Sequence, residues 1–254
     1  MLNTLRRHIP WLSLLSVALF LTLWELLPAL GLVKPIFTSS PSRIAAAFLG
    51  LAQGRLWHDL WVSGVEFVLG MGLAIVVGIP GGILLGWSRR ANAIFSPFVS
   101  ALYAVPRVAL MPLLILWLGI GIYSKVAVVF LGAVFPILVN TMTGIRVLDE
   151  TLVRCARAFG GSDRQVLTTI ALPSSVPFIL SGLRLGVGRG LVGVVVGELI
   201  AARAGIGHMM SIAGAMFQTD KVFVGVIILA GFGWGLTALL EAMERRFDSW
   251  RPQR

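Results

Sequence analysis

The stretch RCARAFGGSDRQVLTTIALP, residues 154–173, is out of keeping with its surroundings. Most of the flanking sequence is apolar enough to sit in lipid, whereas this piece mixes charges with small and apolar residues. Leu152, Ala156 and Phe159 share one face at helical spacing, and Glu150, Arg154 and Arg157 lie elsewhere. Glu150 and Arg154 are four residues apart, acid first, which favours a helix. Asp149 and Glu150 stand where acidic groups suit a helix N-terminus. Gly160 and Gly161 end that helix, as glycine does at a C-cap. Ser162 and Gln165 have the spacing of a capping box opening a second helix. Val166, Leu167 and Ile170 give that helix an apolar face, Pro173 stops it, and Pro177 begins the next element. The pattern predicts a helical hairpin over 149–173. An ordered, part-apolar hairpin in water needs a surface to pack on.

The rest of the chain is membrane-like. Of 254 residues, 57% are hydrophobic and 13% charged, with a mean hydropathy of +0.91. Soluble domains are about half apolar and about a quarter charged. The net charge of +10 does not signal nucleic-acid binding, because the basic residues sit at the ends of apolar runs. The single cysteine, Cys155, excludes an internal disulfide. The N-terminal run continues past Leu27, longer than a signal core, with no prompt Ala-x-Ala site, so it reads as an uncleaved first span.

Six segments, about 9–30, 61–87, 94–118, 124–146, 175–201 and 222–244, have the length of a membrane-crossing helix. They are continuously apolar, without the alternation of barrel strands. The expected fold is all-α: one transmembrane domain over 1–254 with six transmembrane helices. Basic residues orient it. With the N-terminus inside, the inner ends hold twelve: Arg6, Arg7, Arg89, Arg90, Arg146, Arg154, Arg157, Arg164, Arg245, Arg246, Arg251 and Arg254. The outer segments hold six: Lys34, Arg43, Arg55, Lys125, Arg203 and Lys221. Both termini and the hairpin are therefore expected in the cytoplasm. Over 40–53, Ser40-Pro41 reads as an N-cap followed by a first helical residue, and Ile44, Phe48 and Leu51 repeat at helical spacing. An amphipathic helix on the outer surface is expected there, with a plain loop as the alternative.

Glycines recur every four residues in two spans: Gly78, Gly82 and Gly86, and Gly182, Gly186 and Gly190, followed by Gly193 and Gly197. Such rows let helix backbones approach closely in lipid. GVGRGLVG (186–193) lies inside a span with no strand before it, which argues against a nucleotide loop. No lysine follows a glycine, so no Walker A motif exists. His8, His58 and His208 are scattered, and there is no HExxH or GxSxG. No catalytic, cofactor-binding or metal-ligating residue is assigned. Arg107, Arg184, Arg189, Glu66 and Glu198 sit in or near the membrane, where charge is costly and often functional. Arg184 and Glu66 read as snorkelling or structural ion pairs. Arg107, Arg189 and Glu198 are candidates for a polar path.

The hairpin resembles the coupling loop of ABC-importer permeases, whose signature is Glu-Ala-Ala, three residues, Gly, nine residues, Ile, one residue, Leu-Pro. Ala156, Gly160, Ile170, Leu172 and Pro173 match, while Arg154 and Cys155 replace the usual Glu and Ala. Residues 103–125, 135–146, 183–207 and 217–223 are similar to the nitrate/sulfonate/taurine branch of the binding-protein-dependent inner-membrane components. The resemblance implies a type I, MetI-like importer fold in a bacterial cytoplasmic membrane. It implies two permease copies forming the path, two ATPase subunits that bind the ATP, and a periplasmic or lipid-anchored binding protein. Arg154, Cys155, Ala156, Phe159, Gly160, Gly161, Ile170, Leu172 and Pro173 would then face the ATPase, and the solute would be a small anion. The competing reading is a carrier driven by an ion gradient. That reading calls for inverted repeats with broken helices, and the sequence shows none.

Overall fold

The computed structural model describes residues 2–148 and 150–245; Asp149 and the arginines at 246, 251 and 254 lie outside them. The described residues form helices and no strand. Helix α1 (Leu2–Ala29) leads through a short α2 (Pro35–Thr38) to α3 (Pro41–Ala52). Then follow α4 (Leu56–Trp87), α5 (Arg89–Ala104), α6 (Met111–Leu118) and α7 (Ile122–Arg146). The hairpin carries α8 (Glu150–Ala158) and α9 (Asp163–Val166); α10 (Leu172–Ala201), α11 (Ile206–Ala215) and α12 (Thr219–Arg245) complete the chain.

At the centre stands α7, packed along its length on α4 and on α10. Two thirds of its apolar stretch is buried, against a third or less for α4, α10 and α12. The rows of glycine account for this closeness. A Cβ on Gly82 would stand 2.6 Å from the Leu138 carbonyl oxygen and 2.6 Å from Thr141 Cβ. On the other side, a Cβ at Gly193 would come within 3.1 Å of Val129 Cα. Val129, Ala133 and Ile137 of α7 fill the seam, joined by Phe67, Met71 and Ala74 of α4 and Val187 and Val194 of α10. Outside this seam the helices carry belts of exposed Leu, Val, Phe and Trp, the surface lipid covers.

Two sequence expectations change. The segment 94–118 is not one straight span: α5 and the following helix meet at an 87° bend. Pro106 lacks an N–H and forces Val105 out of the helical region, to φ −66°, ψ 130°. A single 3₁₀ turn (Arg107–Leu110) then reaches α6, which Gly119 ends at φ +79°. The count of six spans is not reached among the described residues. Four helices have the length and apolarity to cross a membrane, or five with the bent pair taken as one. The described apolar stretch of α1 is Leu14–Ala29, within a helix of 28 residues.

The outer-segment helix forms as Pro41–Ala52, but Ser40 does not cap it with its side chain. Glu25 of α1 does so from outside, accepting from the Ser42 N–H at 3.0 Å and the Ser42 hydroxyl at 2.6 Å. The face predicted apolar points at α12: Ile44 is buried, and Phe48 lines an apolar groove with Trp24, Val224 and Ile227.

The glycine seam gives a direct test. Gly82→Ala places a methyl group where backbone and Thr141 already stand, and overpacking costs about 1–3 kcal/mol. Gly72, with open space around it, is the control. Thermal unfolding of the detergent-solubilised protein should show a lowered midpoint for Gly82→Ala and an unchanged one for Gly72→Ala.

Candidate functional site

The hairpin folds as its sequence predicts up to its second limb. Helix α8 closes in a Schellman turn: Gly161 N–H donates to the Ala156 carbonyl at 2.9 Å and Gly160 N–H to that of Arg157 at 3.0 Å. Gly160 holds φ +81°. A Cβ on Gly161 would meet the Ala156 oxygen at 2.7 Å, so both positions need glycine. Ser162 and Gln165 make the reciprocal capping box, and Arg157 Nη2 reaches Asp163 Oδ1 at 3.0 Å across the turn. The apolar face predicted for α8 is there, but this chain leaves it uncovered. Leu152 is 53% and Phe159 89% exposed, and Cys155 is a free, exposed thiol.

The second limb departs from expectation. Pro173 does not stop the helix and Pro177 does not begin another. Residues 163–201 form one continuous helix of 39 residues. A π turn at Leu167–Ala171 makes this possible, with the Leu172 N–H donating to the Leu167 carbonyl. Five-residue closure loosens the turn just before Pro173, where its ring and missing N–H would break an α-helix. Val166 and Ala171 anchor the junction in the interior, with Ile170, Leu172 and Pro173 half-buried beside them. The hairpin is thus an extension of α10. A cleft of about 770 Å³ opens between it and the ends of α4, α5 and α7, lined by Arg89, Arg146, Arg154 and Arg157.

The structure places Arg107 and Arg189 on neighbouring packed elements and sets Glu198 apart. Arg107 lies in the turn after the bend. Its Nη2 donates to the Tyr103 carbonyl at 2.7 Å, and its guanidinium lies 5.0 Å from the Tyr103 ring and 5.7 Å from that of Phe135. Arg189 projects from the middle of α10 to an exposed position, near enough for its charge to act on Arg107. Glu198, expected on the same path, is 1% exposed. Its oxygens accept from the Ser63 hydroxyl and the Gly207 N–H, both at 2.6 Å.

Glu198 belongs to a buried polar cluster at the end of the bundle away from the hairpin. There the N-terminus of α11 donates three N–H groups to side chains of other helices. Gly205 gives to Asp59 and Ile206 to Ser63, both at 2.9 Å, and Gly207 gives to Glu198. Beside them Glu66 pairs with Lys125. Lys125, counted with the exposed outer residues from the sequence, is 6% exposed. Sequence reasoning missed this cluster, although one signal was present. Gly205 and Gly207 follow Glu198 by seven and nine residues, and a Cβ on either would collide with its side chain. Arg184 is likewise ion-paired: it bonds to Glu244 and lies 3.7 Å from Glu241 Oε1, both on α12.

A bundle of long apolar helices with glycine seams and a projecting helical hairpin defines the class: a multi-pass helical membrane protein. Residues 78–249 match the family model described as "Binding-protein-dependent transport system inner membrane component". The chain is 34% identical over 248 residues to the taurine transport system permease protein TauC of Escherichia coli (strain K12), covering 95% of this chain and 90% of that one. It is 35% identical over 252 residues to SsuC of Bacillus subtilis (strain 168), a protein named for aliphatic sulfonates transport, covering 97% and 90%. Among solved structures, an inward-facing MetNI methionine ABC transporter chain aligns at a TM-score of 0.65 with 18% identity, over 76% of this chain and 97% of that one. The fold is therefore of the MetI type. The chain belongs to the binding-protein-dependent transport system inner-membrane components and is a permease subunit of an ABC transporter. These relatives set aside the gradient-driven carrier, even though the bent pair is a broken helix of the kind the sequence seemed to lack.

Arg184 supplies a test of how the interior charges are held. Arg184→Ala removes the guanidinium that bonds to Glu244, 6% exposed, and breaking a buried pair on one side costs about 3–5 kcal/mol. Arg184 is one-third exposed, so the lower end is expected. Adding Glu244→Gln should recover most of the loss in a thermal-unfolding comparison of single and double variants.

Proposed function

We propose that this permease works as an importer subunit whose hairpin lies on the cytoplasmic side and receives a separate ATPase. The single observation that carries this is the hairpin's form. Its tip presents Phe159, 89% exposed, to nothing in this chain, while its second limb is continuous with a membrane span. A partner that covers the tip gains apolar contact and can tilt α10 directly. ATP-driven closure of that partner then biases one of two arrangements of the spans. Both termini are cytoplasmic, in keeping with the twelve-to-six distribution of basic residues. Two permease copies and two ATPase subunits make up the machine, and a binding protein delivers solute on the opposite face. The names of TauC and SsuC point to a small sulfonate-bearing solute. Arg107 and Arg189 line its path, and Glu198 anchors the far end.

Co-purification with an ATPase, and loss of solute uptake when that ATPase's Walker lysine is replaced, test the assignment. Gly160→Leu strains a position at φ +81° by about 1 kcal/mol or more and re-aims the tip. Membrane insertion should persist, and uptake should be lost. Normal uptake with normal ATPase docking in this variant would remove the hairpin from coupling.

Cys155, the sole cysteine, is exposed on α8. A membrane-impermeant maleimide should miss it in intact cells and react in inside-out vesicles. Reaction should slow, at fixed pH, when the ATPase is docked. Labelling of intact cells would reverse the orientation, and labelling indifferent to the ATPase would exclude this face from the docking surface.

A further inference from the structure

Several charges inside this bundle are ion-paired, while Asp59 and Glu198 are held by hydrogen bonds. Lys125 has Glu66, and Arg184 has Glu241 and Glu244. Arg107 and Arg189 break the pattern. Among the described residues neither makes an ion pair, and Arg107 Nε is buried with no hydrogen-bond partner. Arg189 is seventeen residues from Leu172 and twelve from Ala201, the two ends of α10, or about 26 and 18 Å. An exposed guanidinium at that depth is costly against lipid and tolerable where water or an anion meets it.

One turn of α7 sets both groups. Gly132 receives the backbone of Arg189, whose carbonyl oxygen lies 2.9 Å from where a Cβ would stand. Phe135, three residues on, carries the Arg107 guanidinium on its ring. The bend at Pro106 brings Arg107 to that level. The turn that carries Arg107 packs on α10, so two like charges stand on adjacent elements, and among the described residues no acid is paired with either. A guanidinium offers parallel N–H groups that match an oxyanion in two places.

Resting on the path assigned above, we propose that Arg107 and Arg189 form one oxyanion station within the membrane. It takes a sulfonate or similar monoanionic head group, and it prefers a net anion to a zwitterion. The preference follows from what is missing. An aminoalkanesulfonate brings an ammonium two carbons from its sulfonate, and no carboxylate waits for it here. The Tyr103 and Phe135 rings, which could face a cation, already hold Arg107. An alkanesulfonate brings only a short apolar tail and no second charge to be matched.

The test uses the full-length permease in lipid nanodiscs, with trifluoromethanesulfonate as a ¹⁹F NMR probe. The wild type should broaden and shift the probe signal, and ethanesulfonate should displace the probe at about tenfold lower concentration than taurine, the scale of one charge-assisted contact. Arg107→Gln and Arg189→Gln should each abolish the broadening. Arg107→Lys and Arg189→Lys, which keep charge but lose the fork, should weaken it about tenfold. Arg203→Gln, at an exposed site outside the station, should leave it unchanged. Should a Gln variant fail to fold, its Lys counterpart decides. Broadening that survives all four substitutions overturns the station, and equal displacement by taurine and ethanesulfonate overturns its preference. ATPase docking to the hairpin is read separately. Lost docking with intact probe binding would sink the coupling assignment instead.

Discussion

Helix α7 lies within backbone reach of both α4 and α10 because the facing positions carry no side chain. In lipid there is little hydrophobic gain from bringing two helices together, so contact must come from close fit and from polar pairs. Gly82 and Gly193 supply the fit on opposite sides of the same helix. The other features hang on this. Only with α4 and α10 so close to α7 can Lys125 meet Glu66, and only then do Ser63 and Glu198 reach each other across 135 residues of sequence. The three-helix seam also fixes α10, from which the hairpin limb extends.

What the sequence disclosed follows from the range of each interaction. The Schellman turn and the capping box of the hairpin depend on residues within six positions, so the order Phe-Gly-Gly-Ser with Gln three residues later was enough. The glycine rows were visible as a four-residue period. The charge partners were not, because Arg184 and Glu244 are 60 residues apart and nothing in either segment names the other. By sequence Lys125 falls with the basic residues of the outer segments, and its partner Glu66 lies on another helix. The break at Val105 was concealed because Pro106 and Pro112 fall within a run whose average hydropathy stays high.

The prolines erred in both directions. Pro106 read as part of a span, and it ends a helix. Pro173 and Pro177 read as ends, and they lie within one. The difference is local hydrogen bonding. After Pro106 the chain finds no helical continuation until a 3₁₀ turn re-forms. Before Pro173 a π turn has already shifted the ladder to five-residue closure, and neighbouring helices tolerate the rest.

That π turn has a geometric effect of its own. An extra residue in one turn of a helix advances every later side chain by about 100° around the axis relative to an unbroken α-helix. The hairpin limb and the span therefore share an axis without sharing a face. Residues 163–166 can be aimed for one partner and residues from Leu172 onward for α7 and the path, each azimuth set independently. The surface of residues 163–166 is thus free to change without re-phasing Gly193 against α7 or Arg189 on α10.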